Sequence, residues 1–244
     1  MKYLSTILFI FIINTSFSQT TQNLKVMSED FPPYNFSFND VPTGFATEVF
    51  DLILKKENSS IKSIKVNFLP WAQSYQALQS EKNTMLFVVT RNKTREKMFK
   101  WVGPISTAKN GLIGSINKKV ENLKDKFVCS VFEDAGGQMF LEKYPAFKNQ
   151  LIVVQFPDQC LYMLNAGRVD FFAYDINVFK FLAKKLNIDQ NQFQMKETFA
   201  QANHYYAFHI KTDDSLTSRW QKNLDEIKNT SAFQDLIKKY QLDE

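Results

Sequence analysis

Short apolar runs alternate with helical stripes along the chain. Residues 24–27 read as a strand, closed by Glu29-Asp30-Phe31-Pro32-Pro33-Tyr34, where two prolines forbid regular pairing. Ala46, Val49, Phe50, Ile53 and Leu54 then recur at helical spacing. Glu48 lies early and Lys55 and Lys56 late in that stripe, the charge order a helix dipole favours. Ile64, Val66 and Phe68 alternate as a strand, and 71–80 fits a short helix. The unbroken apolar run at 85–89 marks a strand buried on both faces.

After Gly103-Pro104 the pattern starts afresh. Residues 112–116, 127–132, 151–156 and 169–174 read as strands, with helices at 137–143, 158–165 and 176–186. A further strand at 204–210 precedes a helix that buries Leu216, Trp220, Leu224 and Ile227. The last helix opens with Ser231 three residues before Gln234, a capping-box spacing, and presents Phe233, Leu236, Ile237 and Tyr240. Strands alternating with helices predict an α/β protein with mainly parallel sheets. The two series predict two lobes, 19–107 plus 200–244 and 108–199, joined by crossings near 106–110 and 199–203.

The amino terminus changes this picture. Lys2, the apolar run from Leu4 to Ile13, and Ser16 and Ser18 form the three-part layout of a cleavable secretory signal over 1–18, with the cut before Gln19. Its apolar run is shorter than the roughly 20 residues a membrane span needs. An exported, soluble, periplasmic chain is therefore expected. The formal charge is +5, or +4 once Lys2 leaves with the signal, and its lysines and acids are interspersed, which gives no reason to expect nucleic acid. Cys129 and Cys160 are the two cysteines; export permits a disulfide, and two buried thiols fit the sequence equally well. His204 and His209 do not form an HExxH motif, and neither a Gly-x-Ser-x-Gly elbow nor a phosphate loop is present. No cofactor, metal or catalytic residue is expected.

The strand at 85–89 runs into Thr90 and, five residues on, Arg95. Loops leaving the carboxyl ends of strands are where open α/β sheets place ligands. A guanidinium there offers paired donors matched to a carboxylate, although Arg95 could also be one surface charge among Arg91, Lys93, Glu96 and Lys97. Gly136 and Gly137 precede a helix, where they serve either close approach of an anion to free N–H groups or a turn with positive φ. Asp175 follows the apolar Phe171-Phe172 and is either a partner for a cation or the N-cap of the next helix. Tyr34 and Trp71, each placed after proline, are aromatic walls or core.

Five segments now stand in order: Phe31-Pro32-Pro33-Tyr34, Thr43 to Glu48, Thr90 to Trp101, Asp134-Ala135-Gly136-Gly137, and Gly167-Arg168-Val169-Asp170 with Asp175. Together they resemble the family 3 extracellular solute-binding proteins, the polar amino-acid-binding group of transport systems. The resemblance implies a type II two-lobed clamshell. It also implies that Arg95 grips a ligand carboxylate, that Thr90 contacts the ligand, and that Asp175 receives its ammonium group. Asn92 stands where the family has threonine, and Gly136-Gly137 where it has small hydroxyl residues. The implied function is a monomeric periplasmic receptor that delivers an amino acid or small organic acid to an ABC transporter of the inner membrane. An exported enzyme of the cyclohexadienyl dehydratase type and a sensor subunit are the alternatives on this scaffold.

Overall fold

The computed structural model describes residues 24–199 and 201–240; the expected signal at 1–18 lies outside them. The first half of the chain supplies β1 (Lys25–Ser28), β2 (Phe36–Phe38), β3 (Val41–Thr43), α1 (Phe45–Lys56), β4 (Val66–Phe68), α2 (Trp71–Ser80), β5 (Thr84–Arg91) and β6 (Phe99–Ala108). There follow β7 (Asn110–Ser115), β8 (Val128–Val131), α3 (Ala135–Lys143), β9 (Ile152–Val154), α4 (Pro157–Asn165), β10 (Phe171–Asp175), α5 (Ile176–Lys185) and β11 (Phe193–Thr198). The chain closes with β12 (Ala202–His209), α6 (Asp214–Lys228) and α7 (Ser231–Tyr240).

Two five-stranded sheets result, in the orders β4-β1-β5-β12-β6 and β11-β7-β10-β8-β9, beside the β2-β3 hairpin. Each sheet is mixed. β1 pairs in parallel with β4 and β5, and β8 with β9 and β10, while β12 runs antiparallel to β5 and β6, and β7 antiparallel to β10 and β11. The antiparallel pairings arise because β6 of one sheet continues across Lys109 into β7 of the other, and β11 returns to β12 within a few residues. Strands that cross directly, with no intervening helix, need not run parallel to their neighbours.

The first sheet packs α1 and α6 on one face around Phe50, Phe87, Tyr206 and Trp220, with ring centres 5.1 Å apart for Phe50–Phe87 and Phe50–Trp220. Its other face carries α2, with Leu78, Leu86 and Val89 inside. The second sheet buries Phe172 and Phe179 on one side and Phe140, Phe147 and Phe171 on the other, so adjacent phenylalanines of β10 serve opposite faces. Helix α1 has Gly44 as its N-cap, whose φ of +113° suits glycine and whose added Cβ would stand 2.5 Å from the Tyr34 carbonyl oxygen. That carbonyl instead accepts the Ala46 N–H, and Pro33 O accepts that of Phe45, so the proline loop supplies the cap. At α7 the cap is Thr230, whose Oγ1 accepts from Phe233 N, and Ser231 is already helical; the expected Ser231 capping box is corrected by one residue.

Alternation fails at one place in β5. Met85 and Phe87 face α1, Leu86 and Val89 face α2, but Val88 joins Phe87 on the α1 side. Its φ is +52°, and between the pairs Leu86↔Ala207 and Val89↔Tyr205 two residues of β5 oppose one of β12. This is a β-bulge. A β-branched residue in the left-handed region costs on the order of 1–3 kcal/mol, and the bulge re-aims the strand end that carries Thr90.

Cys129 of β8 and Cys160 of α4 form a disulfide with Cα atoms 5.7 Å apart and 31 residues of separation. A loop of that size stabilises by about 2–4 kcal/mol through the unfolded chain. Urea unfolding with and without reductant, or of Cys129→Ser/Cys160→Ser, should show a loss of that order; an unchanged midpoint would mean the bond contributes nothing.

Candidate functional site

A cavity of 520 Å³ lies between the two sheets, with Glu29, Leu69 and Trp71 in its wall from the first and Asp134, Phe156, Tyr174 and Leu182 from the second. A wider hollow of 630 Å³ on the outside of α6, walled by Trp101 and Gln221, draws on the β6 and α6 side of the first sheet alone and is open on its outer side. Only the former joins strand ends from both halves to buried charge.

Arg95 is 1% exposed. Its Nη1 donates to Thr90 O at 3.3 Å and its Nη2 to Glu133 O of the opposite half at 2.6 Å. Its Cζ stands 5.1 Å from the ring centre of Trp71 and 5.0 Å from that of Tyr75, one helical turn further along α2. Burial pushes the Arg95 pKa down, opposed by the neighbouring Tyr75 and Asp134. The loop that carries it is fixed by Asn92, whose Oδ1 accepts from Arg95 N at 3.0 Å and whose Nδ2 donates to Gln138 Oε1 across the junction at 3.0 Å. Thr94 donates to Glu142 Oε1 at 2.8 Å in the same contact.

Two buried carboxylates lie within reach of this guanidinium's charge. Glu29 follows β1, and burial first, then the negative charge of Asp134, holds it well above the usual carboxylate range while Arg95 pulls the other way. Asp134 caps α3 by accepting from Gly136 N at 2.7 Å, and burial raises it against the pull of Arg95 and the N–H groups of Gly136 and Ala135. Tyr174 of β10 is raised well above its ordinary value by burial and by both acids. The result is one cation and two acids at the junction, from opposite halves. It can hold a small molecule bearing charges of both signs.

The residues singled out from the sequence fall into two groups. Arg95, Thr90 and Trp71 meet at the junction: Thr90 is buried, offers its carbonyl to Arg95 and lies opposite His204 in the sheet. The others have structural partners. Asp175 is 1% exposed, its Oδ1 accepting from Asn177 N at 2.9 Å and Val178 N at 3.1 Å and its Oδ2 from Lys109 N at 2.9 Å. It caps α5 and ties the cap to the crossing strand. Burial raises its pKa to about 6, against those three N–H groups. Tyr34 is fully buried with its ring 4.5 Å from that of His204, and its hydroxyl accepts from Asn177 Nδ2 of the other half at 3.0 Å.

Gly136 and Gly137 lie inside α3, with neither at positive φ. A Cβ on Gly136 would stand 2.4 Å from Ala173 O, and one on Gly137 2.7 Å from Ser130 Oγ, so both serve close packing of helix on sheet. Sequence reasoning passed over Glu29, Asp134 and Tyr75 as site residues. The signal for Glu29 was its place directly after a strand's carboxyl end, the same rule that singled out Arg95.

A sequence-family model for the bacterial extracellular solute-binding proteins, family 3, matches residues 24–243. No curated protein matches the chain. Among solved structures, the arginine-, lysine-, histidine-binding protein ArtJ from Geobacillus stearothermophilus aligns with TM-score 0.75 at 18% identity, over 89% of this chain and 94% of that one. A histidine kinase sensor domain with similarity to periplasmic binding proteins gives 0.74 at 18%, over 89% and 95%. An ancestral arginine-binding protein bound to glutamine gives 0.70 at 22%, over 89% and 97%. The fold is the type II periplasmic-binding-protein fold.

Since the folded Asp175 holds its proton up to about pH 6, above the ordinary aspartate value near 4, the folded state binds more protons between those limits, and stability from this group falls as pH rises through them. Asp175→Asn keeps the cap oxygen and removes the titration. Urea unfolding should therefore find the variant's deficit largest near pH 4 and smaller at pH 7; a deficit independent of pH would deny the shift.

Proposed function

The chain belongs to the bacterial extracellular solute-binding proteins, family 3, and we propose that it is a periplasmic receptor whose two lobes capture a small amino-acid-like solute for a membrane partner. The observation that carries this reading is the buried Arg95 guanidinium at the lobe junction, packed on Trp71, with Glu29 and Asp134 in the wall of the cavity that Trp71 lines. A carboxylate satisfies the first and an ammonium group the second pair, so an α-amino acid or a solute of the same dipolar pattern is the natural occupant. Two carboxylates pushed up by burial return to their ionised form when a cation lies between them.

In this reading the chain divides at 107/108 and 199/200, with Lys109 and its bond to Asp175 at one crossing. The solute bridges the lobes and shifts the balance toward the joined state, whose surface a transporter or a sensor of the inner membrane reads. The receptor acts as a monomer and does not turn its solute over.

Isothermal titration with the twenty L-amino acids and a set of small organic acids tests this directly. At least one α-amino acid should bind at micromolar strength, and Arg95→Lys, which loses the planar fork, should weaken it at least about tenfold. Binding should weaken on acidification, beginning above the ordinary carboxylate range, because both acids must ionise to hold a cation. Unchanged affinity in Arg95→Lys would remove the guanidinium from the site, and turnover of a cyclohexadienyl acid would replace the receptor reading with an enzyme.

A further inference from the structure

Charge accounts for one part of the cavity wall. Glu29 and Asp134 belong to it, and the negative charge of both reaches the neighbouring Tyr174. The rest of the buried wall is apolar. Leu69 precedes α2, Trp71 opens it, Val131 ends β8 and Leu182 lies on α5; Trp71, Val131 and Leu182 are each less than a tenth exposed. Phe156, also in the wall, is 51% exposed and so continues the same apolar surface out to the rim. The polar residues that complete the wall are engaged or lie toward water. Asp30 Oδ1 accepts from Ser37 N at 3.0 Å and Asp158 Oδ1 from Gln159 N at 2.9 Å, while Gln155 and Lys185 are exposed.

At 520 Å³ the cavity falls within the roughly 300–1,000 Å³ of sites that enclose a whole drug-sized molecule, so the head group of an amino acid leaves much of it to be filled. What fills it must suit the wall. A polar side chain laid against Leu69, Val131 and Leu182 gives up its water without gaining a partner, whereas an apolar one is stabilised by the same burial. We propose that the solute carries an apolar body, aliphatic or aromatic, with its positive end at Glu29 and Asp134 and its body running along Leu69, Trp71, Val131 and Leu182 to Phe156. This rests on the receptor reading above and names the class of side chain the site selects. Phe156 is then a specificity-determining residue, because a solute long enough to reach the rim removes the exposed part of its ring from water.

The test is calorimetric titration of the mature protein with the homologous series L-2-aminobutyrate, L-norvaline and L-norleucine, and with L-phenylalanine, L-tryptophan, L-glutamine, L-lysine and L-arginine. Affinity should rise about fourfold with each methylene of the series. Phenylalanine or tryptophan should bind at least about tenfold tighter than glutamine, lysine or arginine, and the heat-capacity change of binding should grow more negative as the apolar body lengthens. Phe156→Ser, at a position half open to water, should weaken norleucine and the aromatic solutes about fivefold or more and leave 2-aminobutyrate within about twofold, and Phe156→Leu should recover most of the loss. A flat series, or tighter binding of glutamine, lysine or arginine, would overturn the apolar body and leave the receptor reading standing. A rising series that Phe156→Ser does not alter would overturn the role of Phe156. A wild type that binds none of these amino acids would overturn both readings.

Discussion

A guanidinium withdrawn from water must find acceptors for its donors, and the two terminal nitrogens of Arg95 find them one on each side of the junction. One carbonyl comes from its own strand, the other from Glu133 in the opposite half, and the faces of Trp71 and Tyr75 cover part of the remaining surface. Because one partner belongs to each half, the electrostatics of the cation and the spacing of the lobes are the same problem. The surrounding contacts, Asn92 with Gln138 and Thr94 with Glu142, repeat the arrangement with neutral or exposed groups that cost less to separate.

Backbone irregularity puts those groups where they are. The bulge at Phe87 and Val88 rotates the end of β5, so that Thr90 offers its carbonyl to the arginine that follows. On the other side, Glu133 has φ of +57° directly before the Asp134 cap, a conformation that few residues of its type adopt. Strained backbone thus flanks the junction from both halves. Such strain persists where the surrounding packing over-determines it, and it collects at binding sites more than elsewhere.

The sequence carried the helices clearly, because α1, α2, α5 and α6 each bury one stripe at 3.6-residue spacing, and it carried β5 and β10 through unbroken apolar runs. It did not carry β6, since Gly103-Pro104 reads as a break, whereas the strand runs through it at the sheet edge where proline is tolerated. The hairpin β2-β3 and the edge strand β11 are short or half-polar, and their alternation is too weak to stand out. At the candidate site, the meeting of Arg95, Thr90 and Trp71 at the junction follows from strand ends and proline punctuation. Asp175 was legible only as a choice between cap and ligand group, since both require a carboxylate after a buried strand, and only the positions of Asn177, Val178 and Lys109 decide which N–H groups it meets. The bulge was invisible, because valine's own preference runs against the conformation it adopts.

The tight seating of α3 on its sheet constrains how this side of the junction can change over evolutionary time. Ala173 O and Ser130 Oγ occupy the space that any side chain at 136 or 137 would need. A serine or threonine cannot be introduced at either position without first prising helix and strand apart. Change on that side of the junction is therefore open to neighbours such as Asp134 and Phe156, which line the cavity, whereas a side chain at 136 or 137 requires several coordinated replacements rather than one.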